Sequence, residues 1–190
     1  MTQRVFVDAN IFVSQTIMDW LYHLRQHNEG MFQLHATEDV FAEALHALRK
    51  RHPRAQGSLL PDRIDKFKKV VDEVLPDFSG NLSFTGSDEH DYHVHAAAMS
   101  SRADIILTQN DPADITSDPD GEPYEIYTAD DFFQLVARSN PSCLLACTRA
   151  QLDYWGPRGG GQLDDRLVRA DCPEFANVIK STLRTLAMAP

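Results

Sequence analysis

Arg4-Val5-Phe6-Val7-Asp8-Ala9-Asn10-Ile11-Phe12-Val13 is the stretch from which the fold is read. Val5, Phe6 and Val7 form a short apolar run that breaks at a carboxylate and turns apolar again at Ile11. A run of that length without polar alternation predicts a strand buried on both faces, as in the middle of a parallel sheet. In open α/β sheets functional groups collect beyond the carboxyl ends of the strands, and Asp8 falls there. An ionised carboxylate at such a point is costly to bury unless a cation or several donors compensate it. A plainer use also exists: Asp8 can cap the helix that follows, with Asn10 helping the turn. The choice depends on whether other acids arrive at the same edge.

Downstream the device recurs. Ala103-Asp104-Ile105-Ile106-Leu107-Thr108 predicts a second buried parallel strand, which ends in Gln109-Asn110-Asp111-Pro112-Ala113-Asp114. Between the two, residues 18–27 carry a helical stripe of Met18, Leu21, Tyr22 and Leu24, stopped by Asn28-Glu29-Gly30. Phe32-Gln33-Leu34 predicts a short strand. Thr37 then opens a helix with Glu38 and Asp39 in its first turn, where negative charge suits the helix dipole. Val40, Phe41, Ala44, Leu45 and Leu48 form its apolar face, and Glu43 lies in the middle of that stretch. Residues 62–75 predict a second amphipathic helix, 82–84 a strand, and 93–99 a helix of small residues entered through Asp91. A strand at Ile126-Tyr127 and a helix over 130–137 follow.

From about Asn140 the strands stop. Helical stretches at 144–154 and 174–186 flank the glycine loop Gly156-Pro157-Arg158-Gly159-Gly160-Gly161. The expected architecture is a three-layer α/β/α fold on a central parallel sheet over residues 1–138, with a helical extension over 139–190.

The chain has 190 residues, 43% of them hydrophobic and 24% charged, the composition of a soluble globular protein. It contains no apolar run of membrane-spanning length and no signal-peptide pattern, so a cytoplasmic protein without membrane contact is expected. Cys143, Cys147 and Cys172 give an odd count, which argues against a disulfide framework and for small buried side chains. A formal charge of −10 argues against broad non-specific affinity for nucleic acid. It leaves room for a nucleic-acid enzyme whose acids are neutralised locally by metal. The one dense basic cluster is Arg49-Lys50-Arg51-His52-Pro53-Arg54, so Arg49, Lys50, Arg51 and Arg54 are the candidate phosphate contacts. Lys66, Lys68 and Lys69 need be no more than a solvated helix face.

The candidate acids are Asp8, Glu43, Asp91, and Asp111 or Asp114. In a parallel sheet the strand ends and helix starts that carry them share one edge. Oxygens converging there without basic partners repel one another, and a divalent cation removes that repulsion. Carboxylates and water suit Mg²⁺ or Mn²⁺, whereas His93 and His95 lack the further ligands that zinc needs. Carboxylate-held metal supports water-mediated, in-line attack on a phosphodiester.

Four motifs now stand in order: Val5-Phe-Val-Asp8-Ala-Asn10-Ile-Phe, Val40-Phe-Ala-Glu43-Ala-Leu, Asp91-Tyr-His-Val-His-Ala-Ala-Ala, and Ala103-Asp-Ile-Ile-Leu-Thr108-Gln-Asn110-Asp111-Pro-Ala-Asp114-Ile. Over residues 4 to about 135 the chain resembles the PIN-domain ribonucleases, in particular VapC-type toxins of toxin–antitoxin pairs. The C-terminal helices resemble the extension of longer VapC-like proteins. The resemblance implies metal-dependent endonucleolytic cleavage of RNA, a two-metal-type mechanism, homodimerisation and inhibition by a cognate antitoxin. Asp8, Glu43 and Asp91 match the metal-binding acids, with Asn10 and Thr108 as supporting donors. The family commonly has an acid two residues after the strand-end Thr, where this chain has Asn110. The fourth charge then falls to Asp111 or Asp114, and Asp114 matches the family's Asp-Phe pair with Ile115 in place of Phe.

Two other readings remain. A PIN fold with a weakened fourth acid could serve as an RNA-binding or regulatory protein. A HAD-type phosphatase also places an Asp after its first strand, but it needs a second Asp where Asn10 stands and a well-placed Lys, and none occurs between Lys69 and Lys180.

Overall fold

The structure is a computed structural model and describes residues 2–188. In chain order it begins with β1 (Gln3–Val7), α1 (Ala9–Val13), α2 (Gln15–Gln26), β2 (Phe32–Thr37), α3 (Glu38–Arg51), α4 (Leu59–Lys68) and β3 (Glu73–Leu75). There follow α5 (Tyr92–Ser101), β4 (Ile105–Leu107), α6 (Pro112–Ile115), β5 (Glu125–Tyr127) and α7 (Ala129–Ser139). The last elements are α8 (Cys143–Trp155), α9 (Leu163–Val168) and α10 (Pro173–Met188). The chain divides into two compact units, one built from the residues up to Val13 with Gly30–Thr128, the other from Ser14–Glu29 with the residues from Ala129 onward.

The first unit is an α/β domain. Its five strands are all parallel, in the order β3-β2-β1-β4-β5. Val5, Phe6 and Val7 are completely buried, as the unbroken apolar run requires, and pair with Ile105, Ile106 and Leu107 of β4. The strand order reverses between β1 and β4, so the crevice beyond their carboxyl ends is where such sheets hold ligands. Ala96, Ala97 and Ala98 of α5 are fully buried, and side chains of one carbon allow that helix to approach closely. On α1, the Phe12 ring packs at 5.1 Å from Phe41 of α3 and 5.8 Å from Phe67 of α4, which ties the turn after Asp8 to the helix carrying Glu43.

Two expectations fail in this unit. Residues 62–75 do not form one helix: α4 ends at Lys68 and Glu73–Leu75 is strand β3. Asp72 makes the change, because its amide donates to the Leu34 carbonyl at 2.8 Å and its carboxylate accepts from the Leu34 amide at 2.8 Å. These two bonds dock the chain onto β2 and start the edge strand. Residues 82–84 form no strand. Leu82 donates its amide to the Tyr92 hydroxyl at 3.0 Å, and Phe84 packs on the rings of Tyr92 and His95, so its apolar alternation serves side-chain packing.

The second unit is helical, formed by α2, α7, α8, α9 and α10. Phe175 is its centre, edge-on to Trp20 at 5.2 Å and tilted against Phe133 at 5.1 Å. Asp130 on α7 accepts from the amides of Glu174 at 3.1 Å and Phe175 at 2.7 Å, capping the start of α10. The sequence pattern alone puts the boundary at 138 and all of residues 1–138 in one domain. Here the division falls at Thr128, and α2 joins the helical unit because Ile17, Met18, Trp20, Leu21 and Leu24 are buried there. Cys143, Cys147 and Cys172 are buried and form no disulfide. Among the described residues no helix is long and apolar enough to cross a membrane.

Candidate active site

The carboxyl end of β1 delivers Asp8 into the switch-point crevice, where it is 3% exposed. Its Oδ1 accepts from the Ala9 amide, the first of α1, at 2.5 Å, whereas a helix cap would bond the second or third amide. Oδ2 accepts from Thr108 Oγ1 at 2.6 Å and from Asn10 Nδ2 at 2.7 Å. Thr108 is at the matching position just after β4, because Val7 pairs with Leu107 in parallel register. It is fully buried, and its hydroxyl accepts from the Asn110 amide at 3.0 Å. Asn10 Oδ1 in turn accepts from the Gln109 amide at 3.1 Å, fixing the loop after β4 against the turn after β1.

Asn110, where the sequence departs from the family's acid, is the link between the acids. Its Oδ1 accepts from Asn10 Nδ2 at 2.9 Å, and its Nδ2 donates to Asp91 Oδ2 at 2.9 Å. Asp91 is the first residue before α5, yet its side chain makes no capping bond there and is turned to Asn110 instead. Asp8, Asn10, Thr108, Asn110 and Asp91 thus form one connected network drawn from three separated stretches of chain.

Electrostatics mark the same place. Burial pushes the Asp8 carboxyl above the ordinary carboxylate range; the Thr108 and Ala9 bonds pull it back, Glu43 raises it further, and His93 lowers it. Burial likewise raises Asp91, with Asp8, Asp88 and Asp114 adding repulsion and the Asn110 bond opposing it. Two desolvated acids therefore repel each other, with His93 acting against the repulsion at Asp8.

The remaining sequence candidates occupy different situations. Glu43 is more than half exposed on α3, with Oε2 3.4 Å from His93 Nε2. His93 Nδ1 lies 2.8 Å from the His90 carbonyl, which can only accept, so Nδ1 donates there and Nε2 faces Glu43. Sequence reasoning leaves His93 as a mere neighbour, and only its i+2 spacing from Asp91 signals otherwise. Asp114 accepts from Ser87 Oγ at 2.9 Å. A Cβ on Gly86 would lie 2.2 Å from the Asp114 carbonyl, so only glycine lets that loop close on α6. Asp111 caps α6 through the Ala113 amide at 2.9 Å, is exposed, and makes no bond to the network.

Of the basic candidates, Arg49 donates to the carbonyls of Ala55 at 2.7 Å and Gly57 at 3.5 Å, holding the loop after α3. Lys50, Arg51 and Arg54 are exposed. Lys68 pairs with Glu38 at 2.5 Å and lies over the Phe41 ring, which accounts for it without a ligand.

Among the described residues no group of three or more His, Cys, Asp or Glu side chains stands ready to hold a metal ion. The donor chemistry nevertheless fits a hard divalent cation. Asp8 and Asp91 offer carboxylate oxygens whose mutual repulsion a cation relieves, and Asn110 supplies a carboxamide between them.

No curated protein and no solved structure matches the chain. The family model described as "PIN domain" matches residues 4–111, a span that holds Asp8, Glu43, Asp91, Thr108 and Asn110. With more than half of its length matched and a parallel sheet whose switch point gathers these residues, the chain belongs to the PIN-domain family.

Proposed function

We propose that the chain is a divalent-metal-dependent endoribonuclease of the VapC type. PIN domains are generally nucleases and typically use divalent metal ions. The observation that carries the reading is the Asp8–Thr108–Asn10–Asn110–Asp91 network, which directs two repelling carboxylates into the crevice at the sheet's switch point.

Asp8 and Asp91 would hold the metal, with Glu43 and Asp114 contributing charge from the rim. When bound, Mg²⁺ or Mn²⁺ supplies activation of water and neutralisation of the charge that builds on phosphate. The residues do the rest. Thr108 and Asn10 hold the Asp8 carboxylate in one orientation, and Asn110 holds Asp91 at a fixed distance from it. His93 Nε2 faces Glu43 Oε2 at 3.4 Å. Fixed donors of this kind cost no reorganisation during reaction.

Cleavage of pooled RNA with Mn²⁺, Mg²⁺ or EDTA tests the reading. Cutting that requires metal and leaves 5′-phosphate and 3′-hydroxyl ends supports it, because water and not a 2′-hydroxyl attacks. Tight RNA binding with no cutting in any metal would favour the second reading, an RNA-binding or regulatory PIN protein, which Asn110 in place of an acid supports.

The exposed Arg51 and Arg54 are the phosphate contacts in this proposal. Reversing both to Glu is expected to weaken RNA binding and flatten its dependence on salt, read as log Kd against log salt. Arg49 is left intact, since its loss would release the loop it holds. An unchanged slope would move the RNA surface elsewhere. Homodimerisation and capture by a cognate antitoxin belong to the same proposal, and a sedimentation mass equal to the single 21.4 kDa chain would remove the dimer from it.

A further inference from the structure

The helical unit carries a layered arrangement of arginine and aromatic rings. At the end of α8, Tyr154 and Trp155 stand edge-to-face at 5.0 Å. The Arg166 guanidinium lies 3.6 Å over the Trp155 ring and donates to the Gly160 carbonyl at 3.2 Å. A Cβ on Gly160 would come within 2.7 Å of the same indole, so glycine is needed for the loop to lie against it. Trp155 is thereby fixed. Tyr154 is not enclosed: it is 46% exposed, with the Arg158 guanidinium 4.0 Å from its ring centre and bonded to the Tyr154 carbonyl at 2.5 Å.

The positive charge of this stretch is carried by arginine alone. From 149 to 169 the basic residues are Arg149, Arg158, Arg166 and Arg169, with no lysine, in a protein of net charge −10. The acids within the stretch are Asp153, Asp164 and Asp165, of which Asp164 is buried 3.9 Å from Lys180, and Asp19 of α2 acts on the Arg166 guanidinium. Arginine is the cation that stacks flat on rings, and flat cationic layers accept bases while their charge accepts phosphate.

We propose that Tyr154 and Arg158, held up by Trp155, Arg166 and Gly160, form a stacking platform for unpaired bases of single-stranded RNA. The proposal rests on the reading of this protein as one that acts on RNA, and it adds a binding surface built from the helical unit's own residues. Duplex RNA hides its base faces, so it offers such a platform only phosphate.

The test is fluorescence anisotropy of a fluorescein-labelled, mixed-sequence single-stranded RNA of about twelve nucleotides, the upper part of the range such platforms cover. The full chain is used in EDTA, which silences metal-dependent cutting. Tyr154→Ala is expected to weaken binding roughly tenfold, the loss of one base–ring stack. Tyr154→Phe keeps the ring and should bind as the parent does. Arg158→Gln should lower the salt slope by about 0.7, one phosphate contact on a single strand. The same sequence as a duplex should bind more weakly and ignore Tyr154→Ala. An unchanged affinity in Tyr154→Ala, or an equal loss for single strand and duplex, overturns the platform. Cleavage with Mn²⁺ is scored separately on the same proteins. Metal-dependent cutting with binding indifferent to Tyr154 removes the platform alone, while Tyr154-dependent binding without cutting removes the nuclease alone.

Discussion

Asp8→Ala is expected to lower metal-dependent RNA cleavage by roughly 10²–10³-fold, the scale on which a fixed electrostatic group acts in a reaction of charged phosphate. The circular dichroism spectrum should not change. Both outcomes follow from the site's geometry. The carboxylate is buried at the end of β1, accepts bonds from Ala9, Asn10 and Thr108, and shares the crevice with Asp91. Removing it takes away the charge that a cation would meet, together with a desolvation cost that the metal-free fold carries. Full activity in this variant would sink the metal-site proposal.

The same burial gives the metal-free protein a distinctive response to pH. Native Asp8 and Asp91 hold their protons above the ordinary value of 3.8, whereas the unfolded chain releases them near it. Between those points the native state binds more protons, so stability falls as pH rises through the window and stays low above it. Guanidinium unfolding at about pH 4 and pH 7 measures the difference, in which each tenfold gain in proton affinity on folding counts for about 1.4 kcal/mol. Asp8→Asn with Asp91→Asn should flatten this component, and Mn²⁺ should restore wild-type stability at neutral pH but leave the double variant unmoved. A pH dependence identical in wild type and double variant would refute the assignment of strain to this pair.

Phe175→Ala is expected to cost about 3–5 kcal/mol, as for other large aromatic truncations in cores. Phe175 is fully buried, and its ring is the common partner of Trp20 from α2 and Phe133 from α7. Against a total stability of roughly 5–15 kcal/mol, that loss removes much of the margin. Asp130→Ala, which strips only the cap from α10, should cost about 0.5–2 kcal/mol. A midpoint for Phe175→Ala no lower than that for Asp130→Ala would show that the helical unit is held together elsewhere.

The sheet's centre was legible because Val5, Phe6 and Val7 of β1 and all of β4 are apolar and each run ends in polar residues, the pattern of a strand buried on both faces. The edge strand β3 was not. Ile64, Phe67, Val71 and Leu75 recur at helical spacing, and nothing in the pattern marks Asp72 as the residue that docks the chain onto β2. Asp8 and Asp91 were legible as acids at strand and helix ends. The role of Asn110 was not, because sequence records it as a missing charge while its two-sided amide bonds Asn10 and Asp91 at once. Asp111 and Asp114 looked equivalent from spacing. One caps α6 and the other bonds Ser87 and raises Asp91, a distinction made by the turn geometry around Pro112.

The early departure of α2 from the α/β unit has a consequence for the chain as it is made. Residues 14–29 leave the ribosome long before residues 129–188, with which they pack. At about 5–20 residues per second, α2 waits some 5–20 s with Trp20, Leu21 and Leu24 uncovered. During that interval it is an amphipathic helix tethered between two strands and open to a chaperone. A messenger cut short after the sheet is complete would leave it in that condition permanently, so truncated products should aggregate where the full chain does not.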